Sequence, residues 1–185
     1  MLVKNVIRGT LLLLGRDDIA ELLSKNSALE GEPSQTVNTL MHCYNAVEDE
    51  LARLYFPLTD EYNCVVQGGE ISYSTFPKTP VKIVSVKSQG NLVKYRILPT
   101  KLKTANGEVV IKYNYSPNKK SIDDQAEGAL PINERLLSYG IAAEYCLICG
   151  LVKDAESWES KYREEIYTIK SSMQKTYLVP QRRWV

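Results

Sequence analysis

The hydrophobic period of this chain changes twice, and that double change limits its fold more than any other feature. Up to about residue 58 the apolar residues recur at three- and four-residue steps. From about Thr59 to Ser116 they alternate, and after a polar connection the helical step returns. A stripe set at 3.6 residues cannot be buried by a strand, whose side chains change face at every residue. One strand block between two helical halves is the pattern of an α+β fold, not of repeated βαβ units. The expected architecture is a helical bundle from N- and C-terminal helices with an inserted antiparallel β-sheet region. Residues 1–58 supply the N-terminal helices, 59–116 the inserted β region, 117–175 the C-terminal helices, and 176–185 an extended tail.

In the first half, Leu2, Val3, Val6, Ile7, Thr10, Leu13 and Leu14 space as a helix ending at Gly15. Asp17 and Asp18 open a second helical piece with Ile19, Leu22 and Leu23 on one side, their charges favouring the positive end of the helix dipole. A third helix carries Val37, Leu40, Met41, Tyr44, Val47, Leu51 and Leu54 on its stripe, with Ser34 or Thr36 as its cap. Glu48, Asp49 and Glu50 fall off that stripe, and Pro57 ends the helix. In the second half Asn133 or Ser121 can cap a helix with Leu136, Leu137, Ile141, Tyr145 and Ile148, Asn133 being nearer the apolar pattern. That helix is apolar almost all round and therefore central, and Gly140, Ala142 and Ala143 allow close neighbours. Gly150 closes it. The last helix, from about Asp154 to about Met173, places Ala155, Trp158, Tyr162, Ile166, Ile169 and Met173 on one side.

Between the helices, Val93, Tyr95 and Ile97 alternate with Lys94 and Arg96, and Val109, Ile111, Tyr113 and Tyr115 with Glu108, Lys112 and Asn114. Val81 and Ile83 form a less regular run. These read as half-buried antiparallel strands. Gln89-Gly90-Asn91 and Asn106-Gly107 are hairpin signals, and Gly68-Gly69 a further turn.

Charge and cysteine usage narrow the function. Lys and Arg number 23 against 22 Asp and Glu, a net charge of +1, without the basic excess of a dedicated double-stranded DNA binder. A conduit that merely surrounds DNA needs none. No apolar run approaches the ~18–20 residues of a membrane span, and Lys4 and Arg8 interrupt the apolar N-terminus, with Arg16-Asp17-Asp18 after it, unlike a signal peptide. The four cysteines sit at core-like positions suited to a reducing cytosol.

Several residues invite a chemical reading, and each has a plainer one. Cys146-Leu147-Ile148-Cys149 has C-x-x-C spacing but lies inside an apolar helix, where reduced cysteine packs as a small apolar residue. His42, the sole histidine, has no nucleophile in an elbow context. The acid pairs Asp17-Asp18, Glu48-Asp49-Glu50, Asp123-Asp124 and Glu164-Glu165 suit helix starts and solvated faces. No phosphate loop, dinucleotide fingerprint or zinc-protease motif is present, so no cofactor and no enzyme activity are expected. Tyr73, Tyr95, Tyr113 and Tyr115 can stack bases, or can pack a half-exposed sheet or subunit contact; without a basic excess the second is favoured.

The end of the chain is its least ordinary stretch. Lys175–Val185 holds three basic residues, no acidic one, and the large side chains of Tyr177 and Trp184. Pro180 favours an extended chain that reaches away from its own domain, and Trp and Arg are common interface anchors. A pocket on a partner is favoured over folding back onto the bundle.

Taken together these segments resemble the head–tail adaptor (connector) proteins of tailed bacteriophages. Asn133-Glu134-Arg135 leading into Leu136–Cys146 is similar to their penultimate helix, and Trp158-Glu159-x-Lys161-Tyr162 to their last. Val179-Pro180-Gln181-Arg182-Arg183-Trp184-Val185 is similar to their Pro-x-Arg-Arg-Trp tails, and Asn38–Pro57 and Thr79–Tyr115 are also covered. The resemblance implies a homo-oligomeric ring, a dodecamer, in the neck of the virion after assembly in the host cytoplasm. The ring docks on the portal protein, meets other neck or tail proteins, and passes genomic double-stranded DNA without reading its sequence. It nominates Tyr177, Pro180, Gln181, Arg182, Arg183, Trp184 and Val185 for portal docking. The inserted β region departs from the simplest all-helical members.

Overall fold

The structure, a computed structural model, describes residues 1–25, 27–127 and 131–174, Gln174 by its backbone only. The helices are α1 (Val3–Leu13), α2 (Asp17–Ser24), α3 (Glu32–Glu50), α4 (Glu134–Ile148) and α5 (Val152–Gln174). Between α3 and α4 come strands β1 (Leu58–Val66), β2 (Glu70–Ser72), β3 (Pro80–Ser88), β4 (Asn91–Leu92), β5 (Arg96–Ile97), β6 (Lys101–Lys103) and β7 (Gly107–Tyr115). The fold is α+β with an inserted antiparallel sheet region, as the periodicity predicts. Two compact units emerge, one from Met1–Val47 and Lys120–Ala126 with the C-terminal helices, the other from Glu48–Lys119 with Glu127.

The helical unit is centred on α4. Asn133 caps it, its side-chain oxygen accepting from the Leu136 N–H at 2.7 Å. Leu136, Leu137, Ile141 and Ala142 are buried and α5 packs along the helix. Contact is closest at Gly140, where a Cβ would lie 2.8 Å from Val47 Cγ1 of α3 and 2.9 Å from Tyr162 Cε2 of α5. α1 also lies on α4, burying Val3, Val6, Ile7, Thr10 and Leu11. The buried Thr10 hydroxyl donates to the Val6 carbonyl at 2.9 Å, which removes the cost of an unmade hydrogen bond. Leu13 was predicted on this stripe but is exposed, as the last residue of the helix. The return connection pairs with the start of the chain: Val3 N–H donates to Asp124 O and Ala126 N–H to Met1 O, both at 3.0 Å. Asn45 grips it as well, donating to Lys120 O at 3.2 Å and accepting from Lys120 N–H at 2.6 Å.

α3 starts earlier than predicted. Gln35 N–H donates to Gly31 O, so Ser34 and Thr36 are inside the first turns and cap nothing. Arg16 instead organises this end, forking Glu32 at 2.8 and 2.9 Å and contacting Asp18. Leu54 was placed on the buried stripe but is exposed. Its segment, Leu51–Tyr55, winds as a π-helical turn closed by Phe56 N–H to Leu51 O at 2.7 Å, and the wider turn carries Leu54 off the stripe. Ile148 and Met173, also predicted inside, are exposed near the ends of their helices, and Leu22 is exposed on α2.

In the second unit, β7 is the central strand of a four-stranded sheet ordered β1-β7-β3-β4. It pairs with β1 over the full length from Leu58↔Tyr115 to Val66↔Gly107, and with β3 on its other edge. Val109, Ile111, Tyr113 and Tyr115 alternate inward as predicted. β3 is irregular because of two register shifts, which turn Ile83 and Val86 inward and Val81 and Val84 outward. A three-stranded sheet, β2-β6-β5, adds Ile71 and Leu102 to the same core. Phe76 lies in this core, its ring 5.0 Å from both Tyr62 of β1 and Tyr113 of β7.

Two strand expectations need correction. Gln89 (φ 51°) and Gly90 (φ 82°) do make the predicted hairpin between β3 and β4. Asn106-Gly107 does not, since β6 pairs with β2 and β5 while both edges of β7 are taken by β1 and β3. The turn there moves the chain from one sheet to the other. For the same reason the run through Val93, Tyr95 and Ile97 is not one strand; it leaves β4 after Leu92 and enters the second sheet at Arg96.

Adding a methyl group at Gly140 must push Val47 or Tyr162 aside. Gly140→Ala is expected to lower unfolding stability by about 1–2 kcal/mol, overpacking outweighing the better helix propensity of alanine. Asn133→Ala should cost about 1 kcal/mol through the lost cap. Urea denaturation measures both; an unchanged or raised midpoint for Gly140→Ala would contradict the packing described.

Candidate interaction surfaces

The residues nominated for docking, Tyr177, Pro180, Gln181, Arg182, Arg183, Trp184 and Val185, lie outside the described residues. The other chemically suggestive residues can be placed.

Cys146 is buried on the inner face of α4 and Cys149 is exposed at its C-terminal cap. Cys43 is buried on α3, and all four thiols are free. Burial pushes the Cys43 thiol up to about 12, helped by the negative charge of Glu144. Burial also raises Cys146 and Cys64. Such thiols are poor nucleophiles and poor metal ligands at neutral pH. Among the described residues, no group of three or more His, Cys, Asp or Glu side chains is arranged to hold a metal ion. His42 is exposed on α3. No helix among the described residues is long and apolar enough to cross a membrane.

The acid pairs take structural partners. Asp18 lies in the first turn of α2 beside Arg16, whose guanidinium holds it below the usual carboxylate range. Asp49 pairs with Arg53 at 2.7 Å and accepts a short hydrogen bond from the Ser116 hydroxyl. Asp124 closes a turn by accepting from the Ser121 N–H at 2.6 Å and is likewise held low. Glu165 accepts from the Asn133 amide at 3.1 Å. Glu48 departs from expectation: it is buried, not solvated, and accepts from the Glu127 N–H at 2.8 Å.

The tyrosines turn inward for the most part. Tyr113 and Tyr115 are buried, so neither offers a free ring face to a base, while Tyr73 packs against the same core and is half-buried. Tyr95 is the more exposed one, its hydroxyl donating to Ile83 O at 3.4 Å.

Two surface features of the helical unit were missed by sequence reasoning. The first is an aliphatic knuckle at the α4–α5 turn, where Leu147, Ile148, Leu151 and Val152 are each at least 50% exposed. Its signal was in the sequence, as a second apolar run continuing past Gly150. The second is an open cleft of ≈580 Å³ beside α3, lined by Leu23, Val37, Met41 and Ile122 with Lys4 and Lys120. It depends on the return connection folding back against α3, which no local pattern foretells. The β unit has a separate apolar cleft of ≈520 Å³ between Tyr73, Val81, Ile97 and Pro99.

No protein-family model matches this chain, and no curated protein matches its sequence.

The thiol environments are directly testable. Iodoacetamide at pH 8 should modify Cys149 quickly in the folded protein, while Cys43 and Cys146 react only after unfolding. Peptide mapping that found Cys43 alkylated as fast as Cys149 would contradict the burial.

Proposed function

We propose that this chain is a structural protein of a tailed bacteriophage, a head–tail adaptor that works as one copy in a ring and extends the DNA channel below the portal. The observation that carries the reading is the α4–α5 hairpin. The segments resembling the last two adaptor helices, Asn133–Cys146 and Trp158–Tyr162, supply its Asn133 cap, its Gly140 contact and the Tyr162 ring packed there. Residues that carry the likeness are thus also those on which the helical unit is built. The partners are the portal protein above, other neck or tail proteins below, and further copies in a dodecameric ring. Docking on the portal runs through the segment from Tyr177 to Val185, and many such contacts in one ring gain avidity without any single one being tight. A net charge of +1 leaves DNA free to slide. The role needs no cofactor and no catalysis.

A tail-completion or other neck-ring role keeps the ring and changes the docking partner. Single-strand binding through the tyrosine-bearing sheet is weakened by the inward packing of Tyr113 and Tyr115.

Co-sedimentation with portal rings tests the docking. Full-length protein should pellet with the portal, and a variant lacking residues 176–185 should lose at least tenfold in binding. Equal binding by the two would remove the tail from the interface. Tight, salt-sensitive binding of single-stranded DNA with no portal binding would favour the nucleic-acid reading.

A further inference from the structure

The near-neutral total charge hides an uneven distribution. Residues 71–107 hold seven basic residues and no acidic one, which leaves 16 basic against 22 acidic residues in the rest of the chain. The excess therefore lies on the β unit. Lys78 is paired with Asp60 and Glu127, and Lys101 with Glu70. The other five, Lys82, Lys87, Lys94, Arg96 and Lys103, are exposed and make no ion pair among the described residues.

Strand register gathers three of these five. Arg96 of β5 and Lys103 of β6 are direct partners in the three-stranded sheet. Direct partners point to one face with their Cβ atoms about 5 Å apart, and like charges placed so repel. The Thr104 hydroxyl donates to the Lys94 carbonyl at 3.4 Å, which holds Lys94 beside the same strand pair. Glu70, the partner of Lys103 on β2, is already bound to Lys101 at 2.6 Å. An anion laid over Arg96 and Lys103 would relieve their repulsion.

The arrangement also selects the anion. Cations spread along an exposed strand pair match a charge that repeats, as in a phosphodiester backbone, better than a small ligand with one point of charge. The buried rings of Tyr113 and Tyr115 take away a stacking platform for unpaired bases, which favours a duplex over a single strand. Repulsion by the acidic remainder of the chain directs a polyanion to this face.

We infer that Lys94, Arg96 and Lys103 form a contact surface for the phosphate backbone of double-stranded DNA, held without reading its sequence. The inference rests on the adaptor reading for the source of the DNA, and it names the surface of the inserted β unit that meets it. Phosphate contacts alone let the duplex slide.

Fluorescence anisotropy of a short labelled duplex with full-length protein tests this. Neutralising three phosphates makes binding about 40-fold weaker at ~200 mM salt than at ~50 mM. Lys94→Gln, Arg96→Gln and Lys103→Gln together should weaken binding roughly tenfold or more at the lower salt and flatten the salt dependence. The thermal unfolding midpoint should stay unchanged or rise, because the repulsion is gone. A control with Arg8→Gln, Lys25→Gln and Lys153→Gln removes the same charge from exposed positions of the helical unit and should change binding less than about twofold. Equal losses in the two triple variants would overturn the surface. Tighter binding of single-stranded DNA than of duplex would overturn it in favour of stacking on the exposed Tyr95. An acidic polypeptide bound as tightly at equal charge would overturn it in favour of a protein partner. Portal binding without duplex binding at any salt would sink the inference and leave the adaptor reading standing. Duplex binding lost only in the β-unit variant, with no portal binding, would support this surface and count against the adaptor reading.

Discussion

Three helices of the helical unit meet where one side chain is absent. At Gly140 of α4, the Val47 methyl from α3 and the Tyr162 ring from α5 both occupy space that a Cβ would claim. Tight approach of this kind gathers dispersion contacts that a larger residue would push apart. Ala142 and Ala143 keep the neighbouring surface of α4 small, and α1 packs against the same helix near Ser138. The approach at Gly140 lets α5 lie close on α4, while the turn between them is held locally, Leu151 N–H donating to Cys146 O at 2.8 Å with Gly150 at φ 75°.

The β unit solves a different problem. An inner strand buries the hydrogen-bonding groups of both its edges, and β7 finds partners for them in β1 and β3. Its inward residues then pack with Ile71 and Leu102 of the second sheet around Phe76. Tyrosine serves here as an aromatic packing residue, and the Lys78 ammonium, 4.0 Å from the Tyr115 ring centre, adds a cation–π contact at the margin of that core.

Much of this was legible in the sequence because the signals were local and periodic. The order helix–strand–helix, the Asn133 cap, the small residues of α4, the inward face of β7 and the Gln89-Gly90 turn each follow from a few neighbouring residues. What was not legible depended on partners distant in the chain. Asn106-Gly107 carries a hairpin signature, yet the strands it joins are claimed by β1, β2, β3 and β5. Leu54 obeys the helical step until the helix widens at Leu51. Glu48 reads as a solvated acid, and only the returning connection at Glu127 gives its buried carboxylate a backbone donor. The cleft beside α3 needs Lys120–Asp123 brought back over the N-terminal helices, held by Asn45. Leu147 and Ile148 look like core until the helix ends and leaves them outside.

An adaptor needs rigid units and a means of docking, and in the proposed reading these fall to separate parts of the chain, the α4–α5 hairpin and residues 176–185. The most direct test is electron microscopy of full-length protein with portal rings, read as end-on and side-view class averages. The account predicts a closed ring of added density, coaxial with the portal and twelvefold. Portal rings without added density, alongside protein that remains as single copies, would contradict it.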